Sequence, residues 1–316
     1  MATETWSALV SAAARGGRSW SSSPVTGANG RDRRGGTRLL PLYDHPMPLP
    51  SAAPDRTCLV TGASSGIGVD IARQLASRGL GVTLVARRED LLRTLAEELA
   101  ASHGIRAEVI AADLADEGAR AELAAEVERR GLTVDVLVNN AGFSTTGPVH
   151  RGDHAREVAM LKVNVEAVAD LCAIFLPGMV ERKRGAILNV ASTAAFQPIP
   201  GQAGYAASKS FVLAYTHGLR GELKGTGVSV TALCPGPVET GFVEAAGFSP
   251  EEANTVPKFM WVSSADVARA AVEGLDKGRA VIIPGAANRV TAAAGYLTPK
   301  KVLVEAMARL HPSLRK

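Results

Sequence analysis

The stretch Thr57-Cys58-Leu59-Val60-Thr61-Gly62-Ala63-Ser64-Ser65-Gly66-Ile67-Gly68 decides how this chain is read. Its first half is an apolar run of the kind that forms a strand buried on both faces. Its second half is a glycine-rich turn, after which Ile71, Ala72, Leu75 and Ala76 follow at helical spacing. A strand, a glycine turn and a helix in that order present a helix N-terminus on which a dinucleotide pyrophosphate can sit. In this reading Gly62 permits the tight turn, Gly66 lets the pyrophosphate approach the backbone, and Gly68 allows close packing of the helix. Thr61, Ser64, Ser65 and Ile67 complete the expected cofactor contacts of the turn.

Outward from that stretch the pattern stays regular. Apolar runs at 82–85, 107–110, 134–138, 186–190, 228–233 and 281–283 read as strands. Between them lie helical patterns over Leu91, Leu92, Leu95 and Leu99, and over 119–130, 163–176 and 205–223. Continuous apolar strands alternating with amphipathic helices predict an α/β fold, a single doubly wound domain. Its central parallel sheet of about seven strands carries helices on both faces. The expected domain runs over 55–285, with a distinct segment at 1–54 and a basic helical extension at 286–316.

The end of the second strand separates two dinucleotides. A site for NAD places an acid there, whereas this chain has Ala86-Arg87-Arg88, with Glu89 and Asp90 one or two places too late. Arg87, with Arg88 as helper, offers a planar cation to a 2′-phosphate, so NADP(H) is expected over NAD(H). The alternative is a pair of solvated residues at a helix start. Asp113, with Leu114 beside it, is placed to meet the adenine edge, or else only approaches a helix. Asn139-Asn140-Ala141-Gly142 brings small residues and an amide beneath the cofactor ribose, or caps backbone groups.

Downstream stand Ser192 and Tyr205-Ala206-Ala207-Ser208-Lys209. Tyr205 and Lys209 are four apart and share one helix face. A free tyrosine has a pKa near 10, and a neighbouring ammonium favours the phenolate, which suits general acid–base work. Ser192 is expected to hydrogen-bond a substrate oxygen as negative charge develops on it. A redox cofactor beside such a proton relay is what hydride transfer to a carbonyl requires. Segments 143–148, 194–202 and 240–260 are expected to close the pocket. Phe143, Phe196, Phe242, Phe248, Phe259 and Trp261 among or beside them favour an apolar or bulky substrate.

Hydrophobic residues make up 46% and charged residues 21%, enough apolar material for a sizeable core. The net charge of +4 is concentrated toward the ends, and no nucleic-acid partner is expected. Cys58, Cys172 and Cys234 lack metal-ligand or redox spacing, no metal is expected, and the location expected is cytoplasmic. No uninterrupted apolar run approaches 18 residues. Residues 1–54 are rich in Gly, Ser, Pro and Arg and read as a disordered tail, a targeting peptide, or upstream sequence before a start at Met47. From Val290 onward, Leu297, Val302, Leu303, Met307 and Leu310 alternate with Lys300, Lys301 and Arg309. That helix either rests on an anionic membrane or packs on the domain or a partner copy.

These motifs in this order resemble the short-chain dehydrogenase/reductase family over about 56–245. Thr61 to Gly68 matches its TGxxxGxG, Asn139 to Gly142 its NNAG, and Tyr205 to Lys209 its YxxxK. The resemblance implies a Rossmann fold with an Asn164, Ser192, Tyr205 and Lys209 tetrad, Asn164 holding a water that relays protons through Lys209. It also implies that Pro235, Gly236, Val238 and Thr240 close over the nicotinamide. The run from Gly227 to Thr240 looks like the subgroup near 17β-hydroxysteroid and long-chain 3-ketoacyl reductases. An oxidoreductase acting on a carbonyl or secondary alcohol, working as a homo-oligomer, is therefore expected. The alternative is a non-catalytic NADP-binding sensor or scaffold on the same fold.

Overall fold

A computed structural model describes residues 48–242, 246–247, 256–310 and 314. The readings placed on residues 1–47 and on Phe248 lie outside the described residues. Strands β1 (Arg56–Thr61), β2 (Val82–Ala86), β3 (Ala107–Ala111), β4 (Thr133–Asn139), β5 (Gly185–Val190), β6 (Val228–Leu233) and β9 (Val281–Ile282) form one parallel sheet. Their order is β3-β2-β1-β4-β5-β6-β9, so the order reverses between β1 and β4. That crevice, at the carboxyl ends of the strands, is where a doubly wound sheet accepts its ligand.

Alternation along β1 builds two cores. Val60 joins the layer formed with α1 (Ile67–Ala76), α2 (Glu89–His103) and α6 (Ser264–Asp276), through Ile71, Leu75, Leu92, Leu99, Val267 and Leu275. Its neighbour Leu59 joins the opposite layer with α3 (Glu117–Arg129), α4 (His154–Glu181) and α5 (Ala203–Glu222), through Leu123, Leu171 and Leu219. Each fully buried leucine of these layers stabilises the fold by about 1.5–3 kcal/mol.

Three helices differ from the sequence expectation. α4 begins nine residues earlier than 163, at His154, because Asp153 caps it and accepts from the N–H groups of Ala155 and Arg156. It then widens into a π-turn at Lys162–Glu166. By length and composition α4 is also apolar enough to cross a membrane, with mean hydropathy 1.6 over part of its course. Here it lies on the sheet, with Leu171, Cys172 and Met179 buried. α6 has a legible signal that the sequence reading passed over. Ser263 accepts from the N–H of Asp266 as an N-cap, and Val267, Ala268, Ala271, Val272 and Leu275 follow at helical spacing. The C-terminal extension is two helices, α7 (Ala286–Leu297) and α8 (Lys300–Leu310), broken at Thr298-Pro299, where proline ends a helix.

Arg120 sits on α3 and, though charged, is fully buried. Its guanidinium donates to Glu166 and Asp170 at 2.5 Å each and to the Leu114 carbonyl at 2.9 Å. One cation thus ties the π-turn of α4 to the loop after β3. A short parallel pair, β7 (Val238–Glu239) with β8 (Val262–Ser263), brackets the segment between them.

Candidate active site

The glycine turn is built by contact with β4. Thr61 Oγ1 donates to the Val138 carbonyl and accepts from the N–H groups of Asn140 and Ala141 at 2.9 and 3.0 Å. The Asn140 amide donates back to the Thr61 carbonyl at 2.9 Å. Asn140 is therefore a brace for the turn, the backbone-capping role that the sequence left open. A Cβ on Gly68 would lie 2.4 Å from the Gly62 carbonyl oxygen, so any side chain there would force the turn apart. Gly68 thus lets α1 pack closely against the turn.

α1 starts at Gly66 with φ +59° and no side-chain cap. The Val69 N–H donates to the Gly66 carbonyl, while no side chain caps the first N–H groups of the helix, and this fits the turn for a pyrophosphate. Ser64 is held by Arg88, whose Nη2 reaches the Ser64 hydroxyl at 3.0 Å. Arg87 is exposed, with no hydrogen bond or ion pair to any described residue. Asp113 is exposed and one carboxylate oxygen takes the Ala115 N–H, while Leu114 beside it is buried.

Asn164, Ser192, Tyr205 and Lys209 come together at the carboxyl ends of β4, β5 and β6. Asn164 is buried on the π-turn, where its amide accepts from the Phe143 N–H and donates to the Phe143 carbonyl and to Ser208. The position a Cβ on Gly142 would take is 2.9 Å from Asn164 Oδ1 and 3.4 Å from Lys209 Nζ, which puts these groups side by side. Asn164 thus anchors the 141–143 loop directly. Lys209 Nζ donates to the Val190 carbonyl at 2.9 Å and lies 5.8 Å from the Tyr205 ring centroid.

Both titratable groups are shifted by burial. The Lys209 ammonium is pushed down to about 8, chiefly by loss of water. Burial pushes the Tyr205 phenol up to about 12, opposed by a hydrogen bond with Ser192. The sequence expectation that Lys209 lowers the Tyr205 pKa is not met in this structure. Desolvation of the phenolate dominates, and the Lys209 ammonium donates to the Val190 carbonyl instead. Ser192 caps a short 3₁₀ turn (Thr193–Phe196), its Oγ accepting from the Ala194 N–H and donating to the Pro235 carbonyl at 3.4 Å.

Around Tyr205 the walls are apolar. Met160 and Ala194 are buried with it, and Phe143, Ile199 and Phe242 pack against them. The loops at 143–148 and 194–202 are clipped together, with Gln202 Nε2 donating to Ser144 Oγ and the Gly147 N–H to the Gly201 carbonyl. Thr240 lies over the glycine turn, 3.1 Å from where a Cβ on Gly66 would stand. Thr240 therefore borders the turn, while Pro235 borders Ser192.

Several supporting residues were missed from sequence. Gly236 sits so close to Asn288 of α7 that a Cβ there would be 2.3 Å from Asn288 Oδ1. Asn288 is buried and donates to the carbonyls of Met260 and Pro284 at 3.1 Å each. Behind the site, Asn139 donates to Asn189, which donates to Thr216, a buried chain joining β4, β5 and α5. A lone Asn in a helical pattern carries no signal for such a role. Two asparagines in register across neighbouring strands did carry one, once the pairing Asn139 with Asn189 is known.

Comparison with known proteins agrees with this geometry. The model of the short chain dehydrogenase family matches residues 56–249. A short chain dehydrogenase of Pseudocercospora fijiensis is 39% identical over 209 residues, 63% of this chain and 66% of that protein. A very-long-chain 3-oxoacyl-CoA reductase of Anas platyrhynchos is 37% identical over 188 residues, 58% of this chain and 59% of that protein. The chain thus spans two thirds or less of the length of these two relatives. The solved structure of a short-chain dehydrogenase from Sphingobium yanoikuyae in complex with NADPH superposes with a TM-score of 0.69 at 33% identity. That match covers 76% of this chain and 92% of the other. The chain belongs to the short-chain dehydrogenase family, a family of oxidoreductases acting on carbonyl and alcohol groups, and its nucleotide is a nicotinamide cofactor.

Proposed function

We propose that the protein is an NADP(H)-dependent reductase of apolar, lipid-like carbonyl compounds, working reversibly on the matching secondary alcohols. The observation that carries this reading is Tyr205, with Ser192 beside its hydroxyl and Lys209 beneath its ring, facing a wall of Met160, Phe143, Ile199 and Phe242. When bound, the nicotinamide supplies or accepts the hydride. Tyr205 gives its phenolic proton to the substrate oxygen in reduction. Ser192 stabilises that charge by a hydrogen bond. Lys209 holds the ribose side of the cofactor, and Asn164 keeps the 141–143 loop against it. Arg87 supports the choice of NADP(H), being an exposed cation just after β2 with no partner among the described residues. The apolar wall and the similarity to a 3-oxoacyl-CoA reductase support a long, apolar substrate.

The test is consumption of NADPH absorbance against a panel of long-chain ketones and 3-oxoacyl thioesters. Turnover should be confined to apolar members. Tyr205→Phe should lower it by about 10²–10⁴-fold while leaving NADPH binding unchanged. Near-normal turnover by that variant would remove Tyr205 as the acid. Full activity on small polar aldehydes alone would remove the lipid-like substrate. A homo-oligomeric state belongs to the same reading and is checked by light scattering.

A further inference from the structure

α7 presents two rows of side chains on different faces. Its inner row, Asn288, Ala292 and Gly295, is buried against the domain. Its outer row, Val290, Ala293, Ala294 and Leu297, repeats at spacings of three and four and is exposed, Val290 by 70% and Leu297 by 80%. A surface helix of a globular protein ordinarily puts charge on that face. Tyr296 extends the outer row at 73% exposure, and Val302 of α8 and Phe259 are exposed likewise. Over 286–310 the cations are Arg289, Lys300, Lys301 and Arg309, against the single acid Glu305. An exposed apolar stripe flanked by cations, with one aromatic hydroxyl, has the composition of a helix that lies in a lipid headgroup layer.

From this charge and exposure we infer that α7 and the start of α8 form a docking face for an anionic lipid surface. The face adjoins the candidate site. Gly295 packs against Gln197, and Lys300 Nζ reaches the Phe196 carbonyl at 3.4 Å, on the turn that follows Ser192. A docked molecule therefore holds the rim of its apolar pocket at the lipid surface. The inference concerns binding alone and stands whichever carbonyl compound is reduced.

The full chain should be centrifuged with vesicles of phosphatidylcholine alone and with phosphatidylglycerol mixed in. Sedimentation with the anionic vesicles, weakened by salt, is the expected result, with little on the neutral ones. Arg289→Glu with Lys301→Glu changes only exposed side chains and should weaken binding by at least fivefold for each cation removed. Val290→Glu with Leu297→Glu should abolish it. Circular dichroism confirms folding of both variants, and the charge variant decides alone if the other is unfolded. Equal binding to neutral and anionic vesicles, or no loss in the charge variant, overturns the inference. So does a dimer in light scattering that Val290→Glu with Leu297→Glu splits into monomers, for the face would then bind a second copy.

Discussion

At the residue scale, two cations decide different things. Arg87 stands exposed just after β2, while Arg88 is already engaged with Ser64. A charge-assisted hydrogen bond is worth about 1.5–3 kcal/mol. Arg87→Asp should therefore raise the apparent KM for NADPH relative to NADH by roughly tenfold to a hundredfold, measured by steady-state kinetics with both cofactors. Equal use of both by the parent protein would refute the role. Lys209 has a folded-state pKa of about 8 against 10.5 for the free side chain. Between these values the unfolded chain binds more protons than the folded one, so stability from this group rises with pH across that window. In Lys209→Met that increment should vanish, seen as a flatter urea midpoint between about pH 8 and 10 than in the parent. The cation itself was legible in the sequence from its spacing to Tyr205. Its depressed pKa was not, because burial depends on β5 and α5 closing around it.

At the scale of elements, α7 is a strut. Asn288 joins it to the carbonyls of Met260 and Pro284 and lies hard against Gly236, so one amide supports three segments around the site. Two hydrogen bonds at about 0.5–1.5 kcal/mol each put the cost of Asn288→Ala near 1–3 kcal/mol, read by urea unfolding. Asn288→Asp keeps the shape but cannot donate and should lose at least as much. A variant that unfolds with the parent midpoint would show that the strut carries no load. Strand and helix positions were legible where apolar periodicity was strong, as in β1, β2, β4 and α2. The π-turn of α4 was not, since one extra residue per turn leaves no mark on the pattern around Asn164. The burial of Arg120 was not legible either, for a related reason. A charge in a polar-looking helix is expected outside, and only the approach of Glu166 and Asp170 on α4 makes its burial tolerable.

At the scale of the whole molecule, the sheet order places every group of the candidate site at one end of the strands. At the other end Asp135 is buried among Arg56, Arg182 and Arg184. The motifs that signalled function are those where chemistry restricts the residue, the glycine turn, Ser192, Tyr205 and Lys209. The braces around them, Asn189, Gln202 and Asn288, are ordinary polar residues whose partners are distant in sequence. One feature of this architecture bears on how such a scaffold changes its task. Val238 and Glu239 pair side by side with Val262 and Ser263 in a two-stranded sheet of their own, so the ends of the segment between them are held next to each other. That pair acts as a fixed clasp. Doubling the segment's length would add only about 0.6 kcal/mol of closure entropy. A different stretch can therefore be spliced in between the clasp residues, giving the molecule another appetite while the cofactor platform beneath stays as it was.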